Sequence, residues 1–290
     1  MAPRSVLTAV LVLVLVSQSI GLAADVILFD SDRDGNWEIY SIDADGSNPT
    51  RLTDRQADDC GPWPSPDGSH LVFFSRTGRT NYLYTMQIDG QDVVKVPGIP
   101  GSGAGPVWSP DGSQFAFVSF NDGDAEICIV NVDGTDFRQL THNAYGDFEP
   151  TWLPDGERIG WSSEPSGNSD IYTMRTDGTD VLRLTTDPAR DGYAHWSPDG
   201  LHVVFCSNRT GAWEIYVMDA DGSNVVQLTA IGSFSGAPRW SPDGEHIVFQ
   251  SNWDGDSEIY VMNADGSDLR QVTNSPAEDA HPCWLPWPNP

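Results

Sequence analysis

The segment Pro238-Arg-Trp-Ser-Pro-Asp-Gly-Glu-His-Ile-Val-Phe-Gln-Ser251 decides the fold, because its parts return along the chain at a constant step of 44 residues. An Asp-Gly pair downstream of it keeps the same step without a slip. The six pairs begin at Asp45, Asp89, Asp133, Asp177, Asp221 and Asp265. A period of this size indicates one supersecondary unit copied in tandem, each copy packing on its neighbours.

Each unit contains four short β-rich runs separated by turn signals. Ser-Pro-Asp-Gly places proline where φ is already fixed and glycine where φ must become positive, which suits a reversal between antiparallel strands. No segment after the first 24 residues shows a sustained helical period. The sequence therefore predicts an all-β fold, a six-bladed β-propeller of four-stranded antiparallel blades. A linear solenoid is the alternative, but it would need polar caps at both ends.

The register of the two chain ends favours a closed ring. Val26–Phe29 matches the second strand of the unit, whereas Trp284 ends a first strand. We therefore expect the N-terminal strands to pair with the C-terminal strand, which completes one blade and removes the open edges of a linear array.

The N-terminus is typical of a secretory signal peptide, with an apolar run over residues 6–16 after a single Arg4. That run is shorter than the roughly 20 residues that a membrane-spanning helix needs. We predict a signal peptide over residues 1–23, a single propeller domain over 24–290, no membrane span, and a periplasmic or extracellular location.

The composition is strongly acidic, with a formal net charge of −27 and one lysine, Lys95. Nucleic acid and anionic membrane surfaces are poor partners for such a body, and we expect a monomer. The acidity fits either a salty or calcium-containing habitat or a cationic partner. Of the four cysteines, Cys60 and Cys283 fall in equivalent strands of neighbouring blades, where a disulfide is possible but not required.

The repeat resembles that of the TolB-type propeller, a WD-like family. The resemblance rests on Trp240–Gly244, His246–Phe249, Glu258–Tyr260 and Asn263–Gly266, and it extends over Asp25–Pro290. It implies a six-bladed periplasmic or extracellular propeller whose first strands line the channel. TolB itself carries an α/β domain ahead of its propeller, whereas here we expect the repeats to begin directly after the signal peptide, so the resemblance does not imply a role in the Tol-Pal system.

One candidate site is a set of carboxylates in the segments that lead into the first strands at the channel mouth. Equivalent positions hold Asp59, Asp147, Asp191 and Asp279. Four carboxylates around one mouth could hold Ca²⁺, which prefers six to eight oxygen ligands. Alternatively, each aspartate accepts hydrogen bonds within its own blade. No cofactor is expected, with Ca²⁺ as the possible exception.

A second candidate site lies two and four residues further along, where the residue type varies among the copies. This asymmetric polar set comprises Glu149, Tyr193, His195, Arg239 and His281. Such a set suits a small-molecule or peptide site. Glu149 with His195 or His281 could also carry acid-base chemistry or join a metal shell. Ordinary solvated rim residues remain an alternative.

Three functions are compatible with these residues. The first is a non-catalytic secreted module that binds a protein or peptide at the rim or channel mouth. The second is a metal-dependent hydrolase, lactonase or lyase centred on the channel, which requires Glu149, His195 and His281 to converge. The third is a part of a larger envelope assembly, docked through aromatic residues expected in exposed loops. These are Phe120, Phe148, Phe234 and Trp253.

Overall fold

The computed structural model describes residues 25–100, 102–121, 123–165 and 167–286, so the predicted signal peptide lies outside the described residues. Six four-stranded antiparallel sheets form the whole described chain, which contains no helix. The predicted six-bladed propeller is thereby confirmed. Within the same residues, no helix is long and apolar enough to cross a membrane.

The strands run through the blades in chain order, from the channel outwards in blades 2 to 6. Blade 1 contains β1 (Val26–Ser31), β2 (Glu38–Asp43) and β3 (Thr50–Arg51). Blade 2 contains β4 (Asp58–Pro64), β5 (His70–Thr77), β6 (Thr80–Gln87) and β7 (Val94–Lys95), and blade 3 contains β8 (Gly103–Trp108), β9 (Gln114–Ser119), β10 (Glu126–Asn131) and β11 (Arg138–Gln139). Blade 4 contains β12 (Asp147–Trp152), β13 (Arg158–Ser163), β14 (Asp170–Arg175) and β15 (Leu182–Arg183), and blade 5 contains β16 (Asp191–Trp196), β17 (His202–Ser207), β18 (Glu214–Asp219) and β19 (Val226–Gln227). Blade 6 contains β20 (Ser235–Trp240), β21 (His246–Ser251), β22 (Glu258–Asn263) and β23 (Arg270–Gln271), and β24 (Asp279–Trp284) returns to blade 1.

The ring closes as the register of the chain ends predicted. Strand β24 pairs antiparallel with β1, placing Trp284 opposite Ile27 and Cys283 opposite Leu28. Blade 1 is thus built from the C-terminal first strand and three N-terminal strands. Every blade then has a first strand beside the channel.

The turns use the polar chemistry that the repeats predicted. In the hairpin after β4, the Ser65 hydroxyl donates to Asp67, which also accepts from the backbone N–H of Ser69. These hydrogen bonds lower the pKa of Asp67 to about 2. In the hairpin after β2, Gly46 has a φ of 85°, and an added Cβ would lie 2.8 Å from the carbonyl oxygen of Val272 in blade 6. Glycine is therefore needed both for its conformation and for the close approach of two blades.

The core consists of six apolar clusters, one at each interface between neighbouring blades. The interface of blades 1 and 6 buries Phe29 and Trp284, and that of blades 4 and 5 buries Ile171 and Trp196. The other four clusters follow the same plan. Because no blade has an interior of its own, the ring is stable only as a whole.

Candidate functional site

The first strands of all six blades surround a central channel that holds two cavities. The first, which we call the bulge cavity, has a volume of about 270 Å³. It is lined by Gly61, Pro62, Trp63, Phe74, Ala104, Gly105, Pro106, Val107, Val118, Phe120, Phe148, Glu149, Pro150, Tyr193, Arg239, His281 and Pro282. The second, which we call the tryptophan cavity, has a volume of about 320 Å³ and lies towards the ends of the first strands, among six tryptophans and the prolines of the following turns.

A stack of three side chains lies between the two cavities. Trp63 of blade 2 meets His195 of blade 5 edge to face, with ring centroids 5.7 Å apart. The Arg239 guanidinium of blade 6 lies 5.1 Å from the Trp63 ring centroid. Since blades 2 and 5 face each other across the ring, the stack spans the channel. Trp63 and Arg239 line both cavities.

A β-bulge occurs at the same place in every first strand, where its register against the neighbouring strand shifts. The bulge residue has a positive φ between 49° and 62° in all six blades. These residues are Gly61, Gly105, Glu149, Tyr193, Ala237 and His281. Glycine adopts this conformation without strain, whereas another residue is strained by about 1 kcal/mol or more. Three large polar side chains thus occupy strained positions, and all three line the bulge cavity.

Glu149 connects blades 4 and 5. Its Oε2 accepts a hydrogen bond from the Ser162 hydroxyl and another from the backbone N–H of Tyr193, each at 2.7 Å. Burial raises the pKa of Glu149 despite these donors. The Glu149 carboxylate, followed by burial, raises the pKa of Tyr193 as well. Glu149 and Tyr193 therefore both keep their side-chain protons to a higher pH than they would in water.

His281 reaches into the cavity from the bulge of β24. Its Nδ1 lies 3.0 Å from a carboxylate oxygen of the buried Asp30, and its backbone N–H donates to the side-chain oxygen of Gln250. Asp30 raises the pKa of His281, which favours the imidazolium form. The His281 side chain keeps 46% of its surface exposed. It is thus oriented by Asp30 while remaining accessible from the channel.

Arg239 and His195 lie deeper, within the stack. His195 Nδ1 accepts from the backbone N–H of Trp240 at 3.1 Å, and burial followed by the nearby Arg239 lowers the pKa of His195. His195 is therefore a neutral imidazole at neutral pH. Burial also lowers the pKa of Arg239, whose Nη1 donates to the carbonyl oxygen of Pro238 at 2.8 Å.

The four aspartates of the first candidate site do not line either cavity. Each is fully buried within the first strand of its own blade and has partners nearby. Asp59, Asp191 and Asp279 pair with Arg55, Arg209 and Arg33 respectively, and Asp147 accepts from Asn143. Throughout residues 25–286 as described, no three His, Cys, Asp or Glu side chains form a group able to hold a metal ion.

The buried aspartates lead to an expected pH dependence of stability. Burial raises the pKa of Asp59 from its usual 3.8 to about 6, although the Ser75 hydroxyl and Arg55 oppose the shift. The folded chain therefore binds more protons than the unfolded chain between these values, so stability should fall as pH rises from about 4 to about 7. Asp59 alone should contribute about 3 kcal/mol over this whole range.

Urea unfolding at pH 5 and pH 8, at constant ionic strength, measures this effect. The variant Asp59→Asn removes the titrating group and keeps its shape, so it should show a smaller fall in stability than the parent. A parent protein that becomes more stable between pH 5 and pH 8 would contradict the prediction.

Some residues lie elsewhere than expected. Phe148 belongs to strand β12 rather than a loop, and with Phe120 it lines the bulge cavity. Phe234 is half-buried, whereas Trp253 is exposed in a turn as expected and packs against Tyr260. In the part of the chain that the structure describes, all four cysteines are buried and no disulfide joins Cys60 to Cys283. The Cys283 thiol donates instead to the carbonyl oxygen of Pro62.

A sequence profile described as TolB beta propeller domain matches residues 106–235 and 230–289. The chain belongs to this TolB propeller family. Among curated proteins, this TolB-type chain is 44% identical over 52 residues to a TolB homologue of Chlorobium chlorochromatii and 43% identical over 49 residues to an uncharacterised protein of Agrobacterium fabrum. The matches cover 18% and 17% of this chain and only 12% and 17% of those proteins.

Solved structures show the same ring around the TolB-type repeat. A structure assigned as TolB from Agrobacterium tumefaciens is 25% identical with a TM-score of 0.73, covering 86% of this chain and 88% of that one. TolB from Acinetobacter baumannii is 20% identical with a TM-score of 0.76, covering 91% and 67%. A chain of a nidogen/laminin complex, 12% identical, has a TM-score of 0.74 over 90% and 98%. The last two show the fold alone.

Proposed function

We propose that this chain is a non-catalytic, TolB-type binding module of the cell envelope, periplasmic or exported, which holds a segment of a protein or peptide in the bulge cavity. One observation carries the proposal: Glu149, Tyr193 and His281 occupy strained backbone positions where other blades have glycine or alanine. Strain that the fold does not require points to a function of the side chains.

The walls of the cavity fit such a ligand. Prolines, Val107, Val118 and the partly exposed Phe120 and Phe148 provide apolar contact, and a few polar groups converge on it. This combination is typical of binding pockets. A volume of about 270 Å³ accepts one or two side chains of a partner rather than a folded domain. The module is proposed to act without a resident cofactor.

Selection from a displayed library of random peptides tests the proposal. We expect the wild-type protein to select peptides that bind at the channel, and the double variant Tyr193→Asn/His281→Asn to bind them at least tenfold more weakly. Asparagine tolerates a positive φ, so the substitutions remove the rings with little new backbone strain. Titration calorimetry gives the affinities, and melting curves show that the variant is folded.

Ala237→Gly is the matched control. It changes a residue at the equivalent bulge of blade 6 whose side chain does not line the cavity. Peptide affinity should stay unchanged in this variant. Failure to select any peptide, or equal binding by the double variant, would refute the proposed function.

A further inference from the structure

Arg239 stands at a position where blade construction does not require a charge. The equivalent residues of the other blades are Trp63, Val107, Thr151, His195 and Cys283. Five different side chains, none of them an arginine or a lysine, thus occupy the same position in the other first strands. Strand β20 therefore does not need an arginine for its own structure, and the reason for Arg239 lies in its surroundings in the channel.

The guanidinium of Arg239 is half-buried and has few partners among the described residues. There its one hydrogen bond goes to the carbonyl oxygen of Pro238, and its Nε is buried without an acceptor. Among the residues that the structure describes, no carboxylate lies within ion-pair distance of it, although the chain has 42 acidic residues. Holding an unpaired charge even partly out of water is unfavourable.

Glu149 is the acidic residue of the cavity wall, and it does not neutralise Arg239 by contact. Its Oε2 is occupied by Ser162 and by the backbone N–H of Tyr193. Burial raises the pKa of Glu149. Arg239 thus keeps guanidinium donors that have no acceptor among the described residues.

The surroundings of Arg239 restrict how it can bind. The guanidinium lies over the face of Trp63, a contact that holds its plane in one orientation. Both residues line the bulge cavity, whose remaining wall is largely apolar. A planar, oriented guanidinium presents paired N–H donors that match the two oxygens of a carboxylate. An apolar group beside that carboxylate would contact Phe120 and Phe148.

We propose that Arg239 captures a carboxylate next to an aromatic or large apolar group of the bound segment. This inference rests on the proposed function, since it names the chemical class of ligand that the bulge cavity takes. The carboxylate is either the C-terminus of the segment or an aspartate or glutamate side chain. In both cases, the ligand supplies an ion-pair partner that Arg239 does not have among the described residues.

Small probes test the carboxylate directly. Calorimetric titration in chloride buffer with 3-phenylpropionate should give saturable binding, and the uncharged 3-phenylpropanamide should bind at least tenfold more weakly. Arg239→Met should lose the preference for the charged probe. Equal binding of the two probes, or no binding of 3-phenylpropionate, would overturn the inference.

A second measurement separates a binding role from a structural one. If Arg239 were present for stability, Arg239→Met would lower the melting temperature. Because the half-buried guanidinium has no ion-pair partner among the described residues, we expect the same variant to melt at or above the temperature of the wild type. A clear fall in melting temperature would overturn the inference.

Two peptide probes distinguish the sources of the carboxylate. Binding of N-acetyl-Gly-Phe with a free C-terminus assigns the site to a terminal carboxylate, whereas binding of N-acetyl-Asp-Phe-amide assigns it to an acidic side chain.

The library-selected peptides distinguish failure of this inference from failure of the proposed function. If those peptides lose affinity for Tyr193→Asn/His281→Asn but not for Arg239→Met, the binding module stands and the carboxylate site is refuted.

Discussion

A chain that ends at Glu278 should not form the folded ring. The deletion removes β24, which is the first strand of blade 1 and pairs with β1. It takes Trp284 from the interface with blade 6 and Cys283 from the interface with blade 2. Loss of a buried tryptophan alone costs about 3–5 kcal/mol, and a domain is stable by only about 5–15 kcal/mol. We expect the truncated protein either to aggregate or to remain in solution without the near-ultraviolet circular dichroism of a packed core.

Two further chains control this experiment. A chain that ends at Pro286 keeps β24 and should melt as the full chain does. In the second, residues 274–286 are moved to a position directly before Asp25 and joined to it by Asp-Gly. That linker recreates the Ser-Pro-Asp-Gly hairpin of the other blades, with Leu285 in the place of the serine. The backbone N–H of Leu285 already donates to the carbonyl oxygen of Val26. A rescued fold would show that the missing strand pairing is the cause, and a folded monomer without β24 would contradict it.

Gly160→Val should lower the melting temperature by roughly 10 °C. In β13, a Cβ at this position would lie 2.4 Å from Cζ3 of Trp196 in the next blade and 3.2 Å from Cγ2 of Thr151. The clash involves a rigid, buried indole that cannot move aside. Overpacking of this kind costs about 3 kcal/mol, and each kcal/mol corresponds to about 2–4 °C in a domain of this size.

A double-mutant cycle tests the physical cause. Trp196→Leu alone leaves a cavity and is destabilising, but Gly160→Val/Trp196→Leu should be more stable than the sum of the two single changes predicts, because the valine fills part of the space. Additive effects would mean that Trp196 does not cause the loss. Three other blades have valine at the position equivalent to Gly160, namely Val72, Val204 and Val248. The expected clash is therefore specific to blade 4.

The repeat period was sufficient to predict the blades and the closure of the ring. Turn chemistry explains this, because Asp-Gly and Ser-Pro-Asp-Gly fix where each hairpin reverses, independently of the rest of the fold. The step of 44 residues then places Val26 in the second strand of a unit, so that the first strand of this blade has to come from the C-terminal part of the chain. Gly160 shows the limit: its need for glycine depends on an indole from another blade, which the repeat pattern does not reveal.

The site was predictable only in part. Variation among the copies drew attention to Glu149, Tyr193, His195, Arg239 and His281, all of which line a cavity. It did not reveal that the bulge positions have a positive φ or that Trp63 stacks with two of the others, since both depend on tertiary geometry. The aspartates repeat because each is buried in its own first strand, where it pairs with an arginine or accepts from an amide. The same carboxylates in sequence could equally have faced the channel.

The bulge has a consequence for how such rings diversify. All six blades share one backbone conformation at this point but five different residue types, Gly, Glu, Tyr, Ala and His. A single substitution there changes the chemistry of the channel while the strands on either side keep their pairing. The cost is a fixed backbone strain of about 1 kcal/mol for each non-glycine residue. New ligand preferences can therefore arise one blade at a time, within the stability margin of an unchanged scaffold.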